Sequence, residues 1–268
     1  MTEPADTLPD AVEDLEPQTS IVAAIFGPAL TLLALIGLWE VLARWSGVPS
    51  WLLPTPSEIG ASMVDWRGEL AWHSLVTLYE VLVGFTLSIV VSVPLAVAVV
   101  YSRFLQNTIY PILLAMQSMP KVAIAPLLVL WMGFGALPKI LVIFLVCFFP
   151  IVVATASGLS AVPPALIDLI RSLSATSYQT FIKIRFPTAI PHIFVGLKIA
   201  ITFAVIGAVI GEFVSSDQGL GYLILISTSQ SRTPLAFGAL LILTIMSIAL
   251  YYSVEFVERR VAPWAPKS

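Results

Sequence analysis

Residues 140–187 read ILVIFLVCFFPIVVATASGLSAVPPALIDLIRSLSATSYQTFIKIRFP. Positions 140–159 hold no charged side chain. At ~1.5 Å of helical rise per residue, a run of that length covers the ~30 Å hydrocarbon core of a bilayer. The pattern then changes. Pro163 and Pro164 suit the first turn of a helix, where a missing N–H costs nothing. Leu166, Leu169, Ile170 and Leu173 follow at i, i+3, i+4 and i+7, which places them on one face. Asp168 and Arg171 are an i, i+3 ion pair on a neighbouring face. The run 174–177 loosens the helix, a second turn is expected over 178–184, and Pro187 is expected to stop it. A span followed by an amphipathic helix, in a connection that needs only a few residues, predicts an all-α membrane protein with a structured inner loop at 160–191.

Outward from this stretch the rest of the chain agrees. It is 58% hydrophobic with a mean hydropathy of +0.97, and only 11% of it is charged. A soluble domain uses about 25% charged residues to keep its surface wet, so the core is expected in lipid. Six segments are long and apolar enough to span: 21–42, 75–101, 109–132, 140–159, 190–211 and 236–257. Pro120 and Pro126 are expected to break the third. The membrane-embedded body is expected over 19–262. Residues 1–18 carry six of the 16 acidic side chains with Pro4, Pro9 and Pro17, a composition that predicts a disordered acidic cytoplasmic tail. Residues 263–268 form a second short tail on the same side.

Lys and Arg set the orientation. With the N-terminus in the cytoplasm, the inner side holds Arg103, Arg171, Lys183, Arg185, Arg259, Arg260 and Lys267. The outer side holds Arg44, Arg67, Lys139 and Arg232. The outer connector at 47–71 is rich in Pro and Trp and reads as interface-hugging. A loop from Glu212, with Gly219-Leu-Gly-Tyr222, is expected to lead into a short helix at the outer surface.

Within the spans Lys121 is the unusual residue, following Met119-Pro120 in an apolar segment. An ammonium in hydrocarbon costs ~2.5–3.5 kcal/mol even on insertion scales. Either it snorkels to the inner interface or, with Met119, it marks a pathway or gate meeting a polar or anionic solute; the sequence leaves both open. Gly207 and Gly211 end a stripe with Gly196, Ala200 and Ala204 that lets backbones approach closely. Packing within the chain and contact with a second copy are both open. Glu40, Glu80 and Glu212 are expected near the outer ends of spans. His73 and His192 stand far apart with no H-E-x-x-H, and Cys147 is alone, so no metal site and no catalytic set is expected.

The run Asp168-Leu-Ile-Arg-Ser-Leu-Ser174, nine residues, then Ile184-Arg185-Phe186-Pro187 resembles the "EAA" loop of binding-protein-dependent importer permeases. That motif reads Glu-Ala-Ala, three residues, Gly, nine residues, Ile-x-Leu-Pro. Asp168 stands for its Glu, Leu169 and Ile170 for its alanines, Ser174 for its Gly and Phe186 for its Leu. Leu53-Pro54-Thr55-Pro56, Met119-Pro120 with Ala125-Pro126-Leu127, Trp131-Met-Gly-Phe-Gly135, Phe149-Pro150 and Gly211-Glu212-Phe213 are similar to the same family in order and spacing. The resemblance covers about residues 50–262 and is nearest the sulfonate, nitrate, taurine and pyrimidine-precursor branch.

The resemblance implies a type I ABC importer permease fold in the bacterial inner membrane, with about six transmembrane helices. The helix over 165–175 would be a cytoplasmic coupling helix, seated on an ABC ATPase through Leu166, Asp168, Leu169, Ile170, Arg171, Leu173, Ser174 and Ala175. Glu212 would lie before the outer Gly-Leu-Gly loop, where the external gate is expected. Implied partners are an ATPase dimer carrying ATP and Mg, a second permease copy or paralogue, and an external solute-binding protein, with membrane lipid around the spans and no nucleic acid. No cofactor is implied in this chain, which lacks a G-x-x-x-x-G-K-[ST] loop. The implied cargo is a small polar or anionic organic solute. An ion-coupled secondary transporter is the alternative; it would carry ionisable groups near the midplane and an inverted repeat, and Lys121 is the one such group expected here.

Overall fold

The computed structural model describes residues 21–264, and all regular structure among them is helical. The acidic tail at 1–18 and the terminal 265–268 lie outside the described residues. In chain order the elements are α1 (Ile21–Trp45), α2 (Pro56–Asp65), α3 (Arg67–Tyr101), α4 (Arg103–Gln117), α5 (Lys121–Met132) and α6 (Ala136–Ser160). They continue with α7 (Pro164–Ser172), α8 (Ser177–Thr180), a π turn (Phe181–Arg185), α9 (Phe186–Ser215), α10 (Leu220–Ser229) and α11 (Thr233–Val261). Four continuous helices are long and apolar enough to cross a membrane: α3, α6, α11, and α8 with the π turn and α9 taken together. The bent pair α4–α5 makes a fifth if it is one span. That is four or five among the described residues against the six expected; the 25-residue α1 is the sixth segment of that expectation.

The centre of the bundle is α6 against α9. A Cβ added at Gly196 would meet Ala154 Cβ at 2.5 Å, one at Gly207 would meet Ile143 Cα at 3.1 Å, and one at Gly211 would meet Lys139 Cα at 3.1 Å. The partners descend α6 as the glycines climb α9, so the helices run antiparallel at backbone contact. The glycines of the stripe pack against α6 within the chain. On the other face of α6, α3 runs parallel. Gly84 gives way to Ile143, and Ser88 and Ser92 donate to the carbonyls of Phe144 and Phe148 at 3.3 and 3.2 Å.

Two proline expectations are corrected. Pro120 does break the third span: α4 and α5 meet at 98° across Ser118–Pro120. Pro126, however, sits inside α5 without ending it, because neighbouring helices re-satisfy backbone groups freed by a proline in a bundle. Nor does Pro187 stop a helix. It occupies the first turn of α9, and the five-residue π turn before it carries the helix through, with Phe186 N–H donating to the Phe181 carbonyl. The wider i→i+5 ring absorbs the missing donor that would otherwise interrupt an α-helix.

The outer connector is built rather than loose. Thr55 and Glu58 form a capping box on α2, with Pro56 at its first turn. Glu40 of α1 accepts from Ser57 N and Oγ at 3.0 and 2.8 Å, which ties α1 to the start of α2. The Ser50 hydroxyl, followed by the Thr55 N–H, holds the Glu58 carboxyl below its ordinary range.

Candidate functional site

The features with functional promise lie at opposite ends of the bundle. At the end where α3 begins, it presents His73, Thr77 and Glu80 at i, i+4 and i+7, one helical face, and all three are buried. Opposite them stand Lys139 in the first turn of α6 and Glu212 in the last turn of α9. Glu212 therefore belongs to a helix, not to the outer loop as the sequence reading had it.

These side chains cap α10. Gly219 N–H donates to His73 Nδ1 at 2.9 Å, Leu220 N–H to Thr77 Oγ1 at 2.8 Å, and Gly221 N–H to Glu212 Oε2 at 2.5 Å. Thr77 Oγ1 is itself 2.7 Å from Glu212 Oε1. The N-terminal amides of a helix have no partners within it and attract negative charge; here α3 and α9 supply the acceptors. The Gly-Leu-Gly sequence has a steric reason. Gly219 has φ +109°, and a Cβ there would stand 2.2 Å from Glu212 Oε1, while one at Gly221 would stand 2.7 Å from Oε2. The carboxylate fills the space two side chains would need. α10 exposes Leu225, Thr228 and Ser229 on one side and buries Leu220, Gly221, Leu223 and Ser227 against α3, α9 and α11 on the other.

Beside this bracket Lys139 forms a buried ion pair with Glu80 Oε1 and donates to Ser216 Oγ at 3.0 Å. Lys139 was expected in an outer loop and Glu80 in interfacial solvent. Neither position holds, since both side chains are at least nine-tenths buried. The i, i+4, i+7 spacing of His73, Thr77 and Glu80 on an otherwise apolar segment was the signal available for this cluster. Deeper in the bundle, buried Lys198 of α9 pairs with half-buried Glu258 of α11 at 2.9 Å. Lys121 is therefore not the one ionisable group within the spans.

Lys121 itself begins α5, half-exposed, with Nζ 5.1 Å from the centroid of the Phe149 ring. Met119 beside it is exposed. Phe149 lies ten residues along α6 from Lys139, ~15 Å of helix, so the structure does not bring Met119 and Lys121 together with Glu212. A cation–π contact of this kind is worth roughly 0.5–1 kcal/mol. Lys121→Ala is therefore expected to assemble normally yet lower uptake several-fold in proteoliposomes; wild-type uptake by that variant would discard a pathway role.

At the opposite end α7 leaves most of its apolar stripe uncovered. Leu166, Leu169 and Leu173 are 39, 57 and 73% exposed. Ile170 is half-buried, and Ile167, which spacing did not single out, turns inward and anchors the helix. Asp168 and Arg171 pair at 3.7 Å in the open. The helix ends earlier than 165–175, at Ser172, in a Schellman turn: Ala175 N–H donates to the Ile170 carbonyl and Ser174 N–H to that of Arg171. Ser174 takes φ +59° there, a conformation that costs an L-residue roughly 1–2 kcal/mol and a glycine nothing. Ser174→Gly is expected to stabilise the turn by about 1 kcal/mol, read as slower hydrogen exchange at the Ser174 and Ala175 amides; faster exchange would contradict the strain.

A family model described as "Binding-protein-dependent transport system inner membrane component" matches residues 84–265. A probable ABC transporter permease protein of Haemophilus influenzae is 36% identical, over 87% of this chain and 95% of its own length. The formylaminopyrimidine transport permease protein ThiX of Halalkalibacterium halodurans is 34% identical over 90 and 96%, and the riboflavin transport system permease protein RibX of Chloroflexus aurantiacus 34% over 89 and 90%. Among solved structures, an inward-facing form of the MetNI methionine ABC transporter superposes with a TM-score of 0.60 at 21% identity, over 69% of this chain and 92% of that one.

Proposed function

The chain belongs to the inner-membrane components of binding-protein-dependent transport systems, and from that premise we propose that α7 is its seat on a cytoplasmic ATPase. It is the permease subunit of an ATP-binding-cassette importer for a small solute, a multi-pass inner-membrane protein. The observation carrying the proposal is the α7 stripe. Three leucines stay exposed on a nine-residue helix whose ends are fixed by Pro164 and by the Schellman turn. An amphipathic helix with i, i+3, i+7 anchors fits an apolar groove on a partner. Leu166, Leu169 and Leu173 enter that groove, Asp168 and Arg171 rim it, and Ser174 with Ala175 turns the chain back to α8.

In this reading the N-terminus is cytoplasmic, two permease copies stand side by side on two ATPase subunits, and ATP with Mg is bound by those subunits. An external binding protein delivers the solute to the end of the bundle that holds Glu212. Closure of the ATPases draws the two α7 helices together and tilts the rigid α6–α9 pair, which passes the motion toward the Glu212 bracket. Two of the relatives are named for nitrogen heterocycles, a formylaminopyrimidine and riboflavin, which favours a vitamin or pyrimidine precursor within the solute range.

The test is reconstitution of the permease with its ATPase and binding protein. ATP hydrolysis should rise with loaded binding protein, uptake should survive collapse of ion gradients, and a Leu169→Cys variant should cross-link to the ATPase. Uptake that stops with the ion gradient would favour the secondary-transporter alternative.

A further inference from the structure

Of the three side chains that bracket the start of α10, His73 alone can lose its role by gaining a proton. It accepts the Gly219 N–H on Nδ1 at 2.9 Å. That nitrogen must then carry a lone pair, so the ring is neutral with its proton on Nε2. Thr77 does not titrate, and a protonated Glu212 would still keep an acceptor oxygen. The other edge of the imidazole meets Glu69, one turn earlier on α3, with Nε2 3.6 Å from its carboxylate. The imidazole is 8% exposed and the Glu69 side chain 59%. A buried ring thus stands between a backbone donor on one edge and an open carboxylate on the other.

These two neighbours ask for different protonation states. A proton added to the ring puts N–H on both nitrogens. Two donors then face each other at Gly219, and an imidazolium stands against the first amides of α10, the helix end that repels positive charge. On the opposite edge the same proton turns the Glu69 contact into an ion pair. Gly219 has no slack to absorb the change, since it lies at φ +109° against the Glu212 carboxylate; the ring or the first turn of α10 must move. The titratable groups on the elements packed around the ring are few. Tyr222 of α10 has its ring centroid 5.9 Å away, Glu212 of α9 shares Thr77 in the bracket, and Asp217 stands two residues before Gly219. Lys139 of α6 is engaged by Glu80 and Ser216. Imidazole is the side chain whose ordinary titration falls between about pH 5 and 8.

We propose that His73 is a proton-operated latch on α10, closed while Nδ1 is bare and released when the ring is protonated, so that acid loosens the first turn of α10. The latch needs no partner subunit and stands whether or not α7 seats an ATPase. Two measurements on the full chain in nanodiscs test it. The chain has two histidines, His73 and His192, so nitrogen-15 labelling of histidine together with a His192→Gln variant assigns each signal. At about pH 8 His73 should show a bare Nδ1 and a protonated Nε2; a proton on Nδ1 there would overturn the latch. On going to about pH 5, hydrogen-exchange protection at the Gly219, Leu220 and Gly221 amides, corrected for intrinsic exchange, should fall roughly tenfold in step with the His73 signal. His73→Asn sets an amide oxygen where Nδ1 stands and does not titrate, so its protection should stay level over the same range. An equal fall in His73→Asn would move the sensor to a carboxylate such as Glu212 and sink the proposal. Wild-type protection that holds while His73 titrates, or a His73 that stays neutral throughout, would do the same. Should His73→Asn fail to fold, the wild-type signal and protection decide alone.

Discussion

Leu169→Asp is expected to abolish ATP-driven uptake while leaving the bundle folded. Leu169 is more than half exposed on α7, so the isolated permease loses little by the change. In the assembled importer the new carboxylate would have to enter an apolar groove without a partner. An unpaired buried charge costs about 3 kcal/mol or more, and each 1.4 kcal/mol is tenfold in affinity. The permease–ATPase complex should therefore weaken by about a hundredfold or more, seen as loss of ATPase on co-purification and loss of uptake together. Leu169→Met, similar in volume and apolar, should retain both. Full uptake by the aspartate variant would show that α7 has another use, such as lying flat against lipid.

The largest effect on stability is expected from Lys139→Met. Lys139 and Glu80 are a buried pair with side-chain exposures of 6 and 2%. Removing the cation leaves the Glu80 carboxyl buried without the group that serves its Oε1. Breaking such a pair typically costs about 3–5 kcal/mol, whereas replacing both partners with apolar residues is often near neutral. Thermal unfolding in detergent should fall steeply for Lys139→Met and recover most of the way in Lys139→Met with Glu80→Leu. A Lys139→Met protein as stable as wild type would mean that the pair is solvated in the membrane-embedded protein.

Periodicity was enough for the inner loop because every residue that matters there is local. The i, i+3, i+7 leucines, the paired Asp168 and Arg171 and the Ser174 turn lie within one short segment, and their geometry follows from helical rise and end-capping alone. The resemblance to the EAA loop rests on the same short-range spacing. Ser174 stands where that motif has glycine, and the structure gives it the positive φ, +59°, that a glycine would take without cost.

The outer end was legible only in part for the opposite reason. Thr77 and Glu212 are 135 positions apart, and His73 and Gly219 are 146 apart. No spacing rule connects them; their meeting depends on how α3 and α9 pack around α6. Glu80 and Lys139 were read as lying at span ends, and Lys198 was passed over, because no linear pattern shows the partner each has on another helix. Pro126 and Pro187 were over-read as breaks because a lone helix has no neighbour, and no π turn, to absorb the missing donor.

By itself the amino-acid order determined the solvent, the family and the exposed loop helix, since each follows from hydropathy, helical rise and local spacing. Only the tertiary structure decided which charges are paired and why Gly219 and Gly221 must lack side chains. Those depend on distances between helices, which antiparallel packing at glycine contacts sets and which no linear pattern contains.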